Sequence, residues 1–441
     1  MGRTYRKRKR RPLSNLFSNL SSSQYFIKLY QWLKEHQWTA VSSLLPAEIF
    51  KIGRGFVARE FISKDSIIVK IPIGLLITVS TAAASDIGWL FNINSSEQFF
   101  AQEVIAIFLQ WEKHLGQHST WRPYINTLPT NYSLPLLCSK EELDVMSSFL
   151  SEQILIQKLK CMHGFEMVKR LIKDRACHHC SIPLNDIFNY KDYQWAWCTV
   201  NSRCVYIDEN CIKHGLNLQD KASLALAPYL DMLNHSNTAR VKVGLSVDKK
   251  YYEIKTLEPF RKYSQVFINY GHHSNLKLCL EYGFVLPHNS NDTVPFSLED
   301  MLSCFENERK IQHDAFKMDF LRTHGLTRDL YCSQDDLSFN TKAAIVVLIS
   351  DEKRKEIVTQ KIYSCQFDEE VIGNMGKLLI QKKCLEFQNI LKAMDEKISR
   401  GCTESFRVAR DLVLQNLHTL TSCADSISPT TCNYFVFVQD P

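Results

Sequence analysis

The chain has 441 residues, of which 45% are apolar, 23% charged and 11% aromatic. This excludes a mostly disordered chain, a coiled-coil rod and a collagen-like fibre, and leaves room for two or three domains. The net charge of +6 is concentrated in Arg3, Arg6, Lys7, Arg8, Lys9, Arg10 and Arg11; without them 46 basic residues face 47 acidic ones, so the body is not a broadly basic nucleic-acid binder.

Residues 1–22 read as a flexible basic leader. The run 6–11 followed by Pro12 is a nuclear-import patch or a nucleic-acid-touching arm, set against the plainer reading of a solvated tail. No apolar segment follows the charged start, as a secretory leader would require. The longest clean apolar run, 343–349, is far too short to span a membrane. The Met-Gly start suggests myristoylation, but Arg6 stands where Ser or Thr is needed. The 15 cysteines are scattered and odd in number. They are expected to be reduced, mostly buried groups of an intracellular protein, placed in nucleus and cytoplasm.

In chain order, 23–36 predicts an amphipathic helix with Phe26, Leu29, Tyr30 and Leu33 on one face. Runs 50–52, 56–57 and 67–71 predict short strands, broken by Gly53, Gly55 and Lys64-Asp65. Residues 75–195 predict a mostly helical insertion. Helix-period apolar residues fill 103–111 and 141–173, and the loop between them holds Pro123, Pro129 and Pro135. β character returns over 196–285. Val241, Val243, Leu245 and Val247 alternate with Lys242, Gly244 and Ser246, which predicts a half-buried strand. A turn at 248–250 leads to a returning strand over 251–257, and a further strand over 266–270 ends at Gly271. After Pro295 no proline appears until Pro429, and Phe387, Leu391, Met394 and Ile398 keep helical spacing. The fold class is α+β: a β-rich domain over 23–290 with a helical insertion, an all-helical domain over 295–425, and a tail over 426–441.

Several motifs invite chemistry. Gly53-Arg54-Gly55-Phe56-Val57-Ala58 fits the loose dinucleotide fingerprint, which needs a helix opening behind it. The residues behind it read as β, so the nucleotide reading fails, and a β-bulge or a close backbone approach to a ligand remains. Cys177-His178-His179-Cys180 has metal-ligating residue types. No second pair stands nearby, Cys161, Cys198 and Cys204 being singletons, so a loop of ordinary cysteines is the default. No nucleophile elbow, Walker loop or His-Glu-x-x-His is present. Asp231-Met232-Leu233-Asn234-His235-Ser236 closes an apolar stretch and offers oriented donors and acceptors to a polar ligand; the plain alternative is a capped turn. Asn269-Tyr270-Gly271 and Tyr282-Gly283-Phe284 each put a tyrosine hydroxyl beside a turn.

In this order, Gly53-x-Gly55, Asn234-His235-Ser236, Tyr270-Gly271 and Tyr282-Gly283-Phe284 resemble the SET-domain protein methyltransferases. The insertion resembles the split-SET subclass that includes Rubisco large-subunit lysine methyltransferase, and the helical end resembles that subclass's substrate-binding domain. The resemblance covers about residues 45–425. It implies S-adenosylmethionine as methyl donor, a protein substrate (histone or non-histone), a monomer, and small sheets threaded as a pseudoknot. Carried over by position, Gly53, Gly55, Arg203, Asp231, Asn234 and His235 would contact the cofactor. Tyr282 and Phe284 would shape the cofactor and lysine-channel walls, and Tyr270 would stand at the transfer point. No catalytic metal is implied. Histone-directed members often carry a cysteine cluster after the catalytic tyrosine, and 285–300 holds no cysteine. A member of the subclass methylates histidine, using an amide two residues after the arginine. Here that residue is Val205, which favours lysine. A catalytically silent scaffold is the reading from another class.

Overall fold

The computed structural model describes residues 17–41, 43–92, 98–309, 314–352, 354–364 and 368–427. The basic run 6–11 and most of the tail lie outside them. The chain forms two compact units, one of residues 1–132 and 156–272, the other of residues 133–155 and 273–441. Among the described residues no helix is long and apolar enough to cross a membrane.

The first unit opens with strand β1 (Phe17–Asn19) and helix α1 (Gln24–Glu35). Phe26, Leu29, Trp32 and Leu33 of α1 are buried, one helical face as the spacing predicts. Strands β2 (Leu44–Ile49) and β3 (Gly53–Ala58) then form an antiparallel hairpin, with Leu44 opposite Ala58 and Ile49 opposite Gly53. The expected strand over 50–52 is instead the hairpin turn. Lys51 takes φ 63°, and Phe50 and Ile52 are exposed. The apolar pair misled because it flanks a left-handed turn residue, while Pro46 argued against the true strand. Pro46 is tolerated because β1 pairs only with residues 47–49 and leaves its missing N–H unneeded.

Strands β4 (Ile67–Pro72), β5 (Cys204–Tyr206), β6 (Leu224–Leu226), β7 (Asn234–His235), β8 (Val241–Leu245), β9 (Tyr251–Thr256) and β10 (Phe267–Ile268) make three further small sheets. β9 is central between β4 and β8, and its Tyr252, Ile254 and Thr256 are buried. β8 is the edge. Its alternation did not mean burial: Val243 is 47% exposed and Val247 fully so. An edge strand has a partner on one side only, and pattern alone does not tell an edge from a centre. The predicted strand 266–270 is only β10, two residues long, paired in parallel with β7.

The insertion is helical. α2 (Ala101–Leu115) is buried along almost its whole length and packs with α4 (Tyr190–Arg203). Its buried carboxylates and the Gln110 amide nitrogen each have a partner, while Gln110 Oε1 and Trp111 Nε1 have none among the described residues. Glu103 accepts from Phe100 N–H at 2.9 Å and faces His163 at 3.0 Å. Glu112 accepts from Ser119 Oγ at 2.6 Å, and Gln110 donates to Asn189 O at 3.0 Å. Asn189 also caps α4 through Asp192 N–H at 2.9 Å. α3 (Ser148–Leu171) contributes its residues from 156 onward to this unit. There Gly164 lets the helix approach: a Cβ on it would stand 2.8 Å from Glu103 Cγ.

The second unit holds α5 (Leu298–Arg309), α6 (Ala315–Thr323), α7 (Phe339–Ile349), α8 (Lys355–Tyr363), α9 (Glu369–Ser399) and α10 (Glu404–Ser426). One pair of short strands, β11 (Val294–Pro295) and β12 (Tyr331–Cys332), accompanies them. Phe305, Phe320, Leu379, Met394, Phe406 and Leu412 are among the buried side chains of one continuous apolar core. Asn275 ties down the entry segment: its side chain donates to Asp292 and Leu286 O, and accepts from Leu286 N–H.

Candidate active site

The first unit gathers its polar side chains where β3, the end of α4 and the 231–235 segment meet. β3 begins with Gly53 at φ 91°, a conformation that side chains rarely adopt. Gly55 is required for a different reason. A Cβ there would stand 2.5 Å from Asn234 Nδ2 and 3.3 Å from Gln265 Nε2. Any side chain at 55 would therefore displace the Asn234 amide, which donates to Arg54 O at 3.1 Å.

The segment leading to Asn234 is held under strain. Tyr229 takes φ 73°, unusual for an aromatic residue. Its buried ring is fixed by Phe56 at 4.5 Å, Trp38 at 5.1 Å and Tyr30 at 5.7 Å between centroids. The turn that follows buries Asp231. Arg203 donates to Asp231 Oδ2 at 3.1 Å and to Asp231 O at 3.0 Å, and Tyr124 donates to Oδ2 at 3.1 Å. Burial by itself lowers the Arg203 guanidinium, but Asp231, Tyr132 and Tyr124 outweigh it and hold it above its usual value. Burial raises the Asp231 carboxyl, and Arg203 opposes that rise. Arg203 Nη1, shared between Oδ2 and the Asp231 carbonyl, and the Tyr124 hydroxyl on the same Oδ2 favour the charged pair. Arg54 is lowered by burial and then by the like charge of Arg203; it donates to Thr127 O at 2.7 Å.

The parallel ladder sets Phe267 against Asn234 and Ile268 against His235. Ser236 N–H donates to Ile268 O at 2.9 Å. His235 Nδ1 accepts from Tyr270 N–H at 3.0 Å, which places the ring proton of a neutral imidazole on Nε2. The two rings lie 5.0 Å apart. Tyr270 donates its hydroxyl to Leu233 O at 2.6 Å. The buried donors without a partner among the described residues include two of this frame, Arg203 Nε and Gln265 Nε2. Buried unpaired donors call for an acceptor, so a polar ligand fits this frame. A cleft of about 640 Å³ opens beside Arg54, lined also by Leu128, Asn131 and Trp195.

Gly53, Gly55, Arg203, Asp231, Asn234, His235 and Tyr270 thus stand on one connected frame. Tyr282 and Phe284 belong to the second unit. There Tyr282 stacks on His273 at 5.9 Å and lies 6.3 Å from Phe284. Gly283 between them takes φ 75° and gives its carbonyl to the Ser133 hydroxyl at 2.7 Å. Sequence reasoning missed Arg54, Tyr124 and Tyr132. Arg54 was visible as the one charged residue between the two glycines. The tyrosines sit in the proline-rich stretch, where hydroxyl-bearing aromatics signal a packed loop.

Comparison with known proteins bears on the family and the fold. Residues 53–271 match the SET domain family. The human SET domain-containing protein 4 is 30% identical over 94% of this chain and 93% of its own. Actin-histidine N-methyltransferase of Canis lupus familiaris is 28% identical over 66% of this chain and 48% of its own. The structure of Rubisco LSMT bound to AdoMet superposes with a TM-score of 0.61, at 18% identity and 92% coverage of both chains. The fold, with its small sheets and many helices, is therefore a SET-domain fold. With a full-length relative at that identity and the glycine, Asn-His and tyrosine segments in family order, the chain belongs to the SET-domain methyltransferase family.

Proposed function

We propose that the protein is an S-adenosylmethionine-dependent protein-lysine N-methyltransferase. The observation that carries this reading is the β7–β10 pairing. It sets the Tyr270 backbone on His235 and the Tyr270 hydroxyl on Leu233 O, one residue from the Asn234 that clamps β3. The Rubisco LSMT structures bound to AdoMet, and to lysine with AdoHcy, support the same cofactor and substrate class here.

When bound, S-adenosylmethionine supplies an electrophilic methyl group on a positively charged sulfur. The Gly53–Gly55 backbone, Arg203, Asp231, Asn234 and His235 would hold it. Asn234 keeps the β3 edge in place by its bond to Arg54 O. Arg203 and Asp231 neutralise each other, so the frame presents oriented dipoles without a bare buried anion. The Tyr270 oxygen, fixed by the bond its proton makes to Leu233 O, would orient an incoming amine. A lysine amine near pKa 10.4 must first release its proton to water, and an apolar channel lowers that pKa. Alignment and fixed electrostatics then supply the rate, without a covalent enzyme intermediate.

Lysine is favoured over histidine by Val205. It lies in β5 opposite Ala225, and neither side chain can bond an imidazole. Histidine is the second reading, supported by the likeness to actin-histidine N-methyltransferase. Substrates are proposed among histone and non-histone proteins of nucleus and cytoplasm. A non-catalytic scaffold is disfavoured because Tyr270, Asn234 and His235 are all present. The test is transfer of a labelled methyl group into a cell extract, with Tyr270→Phe as control and mass spectrometry of the modified side chain. Methyl-lysine that depends on Tyr270 is expected. Methyl-histidine would replace the lysine reading, and no transfer together with no cofactor binding by calorimetry would remove the enzyme.

A further inference from the structure

The segment between α3 and the short helix Leu184–Ile187 carries Cys177-His178-His179-Cys180. Two cysteines at this spacing bring their thiols together only if the chain reverses tightly behind them. It does so here. Cys177 N–H donates to Ile182 O, and Ser181 N–H donates to Cys177 O, both at 2.8 Å. Ser181 takes φ 59°, and Ala176 and Pro183 close the reversal as an antiparallel bridge. The chain thus folds a compact knuckle on four residues that bury little apolar surface. Cys177 is buried, while His178, His179 and Cys180 are exposed.

The thiols do not face empty solvent. His114, in the last turn of α2, puts Nε2 3.5 Å from Cys180 Sγ. The ligand atoms of His114, Cys177 and Cys180 all lie within 4.8 Å of one another. Ligands bonded at about 2.0–2.3 Å around a tetrahedral ion stand about 3.3–3.8 Å apart, so a small inward adjustment would bring these three to one centre. The second pair that the sequence seemed to lack is His114 and His118, three residues between them, a spacing that recurs in Cys₂His₂ sites. His114 ends α2 and His118 closes the short turn Gly116–His118 behind it, 63 and 59 residues before Cys177. His178 and His179 are both engaged by Asp86, at 3.5 and 3.3 Å. His118 stands outside that group of three, its ring stacked on His179 at 5.9 Å, and would have to turn inward to serve as the fourth ligand.

We propose that His114, Cys177 and Cys180, completed by His118, form a structural site for a zinc-class ion. Two imidazoles and two thiolates are the tetrahedral donor set that selects such an ion, and four protein ligands leave no open position for catalysis. On binding, each cysteine gives up one proton to solvent, so the divalent ion and two thiolates are together neutral. The ion would staple the knuckle to the end of α2 and shorten a long loop of chain. This site is independent of methyl transfer.

The test uses the full-length protein, purified with reductant and without a metal-affinity tag. Metal content by elemental mass spectrometry is expected at about one zinc per chain, the stoichiometry of a single four-ligand site. After stripping, Co²⁺ titration is expected to give the intense visible bands of tetrahedral thiolate coordination. Cys180→Ser changes an exposed side chain, so its fold is expected to survive. It should weaken Co²⁺ binding at least about 100-fold, the upper end of what losing mere supporting contacts costs. Cys402→Ser should leave binding unchanged. His118→Gln should weaken binding and alter the bands; wild-type bands in that variant would overturn the fourth ligand. Absence of both zinc and visible bands in the wild type, unchanged binding in Cys180→Ser, or a Cys177–Cys180 disulfide in reduced preparations would each overturn the site.

Discussion

The two units bury their residues by opposite means. The second gathers aliphatic and aromatic side chains into one core around long helices. Its buried Asn275, Asp292 and Glu142 are hydrogen-bonded within the same unit. The first unit divides its strands among small sheets and places an ion pair, two tyrosine hydroxyls and a strained tyrosine backbone in its interior. The difference teaches that the first unit gives up stability for arrangement. Replacing buried ion pairs by apolar residues is often neutral or stabilising, so such pairs are poor evidence of a stability role.

That contrast can be broken at its strongest points. Phe406→Ala is expected to cost about 3–5 kcal/mol, since a fully buried aromatic leaves a cavity; thermal or denaturant unfolding reads it. Asp231→Ala should cost a similar roughly 3–5 kcal/mol by stranding Arg203. Hydrogen exchange should then rise around 204–206 and 230–235. A loss under about 1 kcal/mol would show that the pair carries no structural burden. Tyr270→Phe is the sharpening case. It removes one hydroxyl and should slow transfer about 100-fold or more, roughly 2.7–4 kcal/mol of barrier, with little change in melting. Near-normal turnover would remove Tyr270 from the transfer point. Asn234→Ala should weaken S-adenosylmethionine binding in calorimetry by about tenfold, as one amide clamp is worth about 1–1.5 kcal/mol. Val243→Ala, on an exposed edge, should change stability by less than about 0.5 kcal/mol.

What the sequence made legible follows the same divide. Helices announced themselves, because α1 and α9 repeat apolar residues at a period no other element shares. Short strands did not. A strand was expected over 50–52, where Phe50 and Ile52 instead flank the turn between β2 and β3. The site frame was read only as motifs in order. Arg203 and Asp231 are 28 positions apart, and Arg54 and Asn234 are 180 apart, so no local pattern states that they bond. The knuckle at 177–180 was seen, but its partner His114 was not, because metal ligands need nearness in space and the search looked for it along the chain.

The edge strand β8 has a consequence for how the protein behaves in a tube. Its outer row of backbone N–H and C=O groups is the kind of template on which another chain can build. Lys242 on the strand and Lys249 and Lys250 at its turn put three positive charges at that border. Like charges hold two such borders apart while their fields reach, about 10 Å at 0.1 M salt and about 3 Å at 1 M. Ionic strength, more than temperature, should therefore govern whether concentrated samples stay dispersed, and a stock kept in dilute buffer should outlast one kept in concentrated salt.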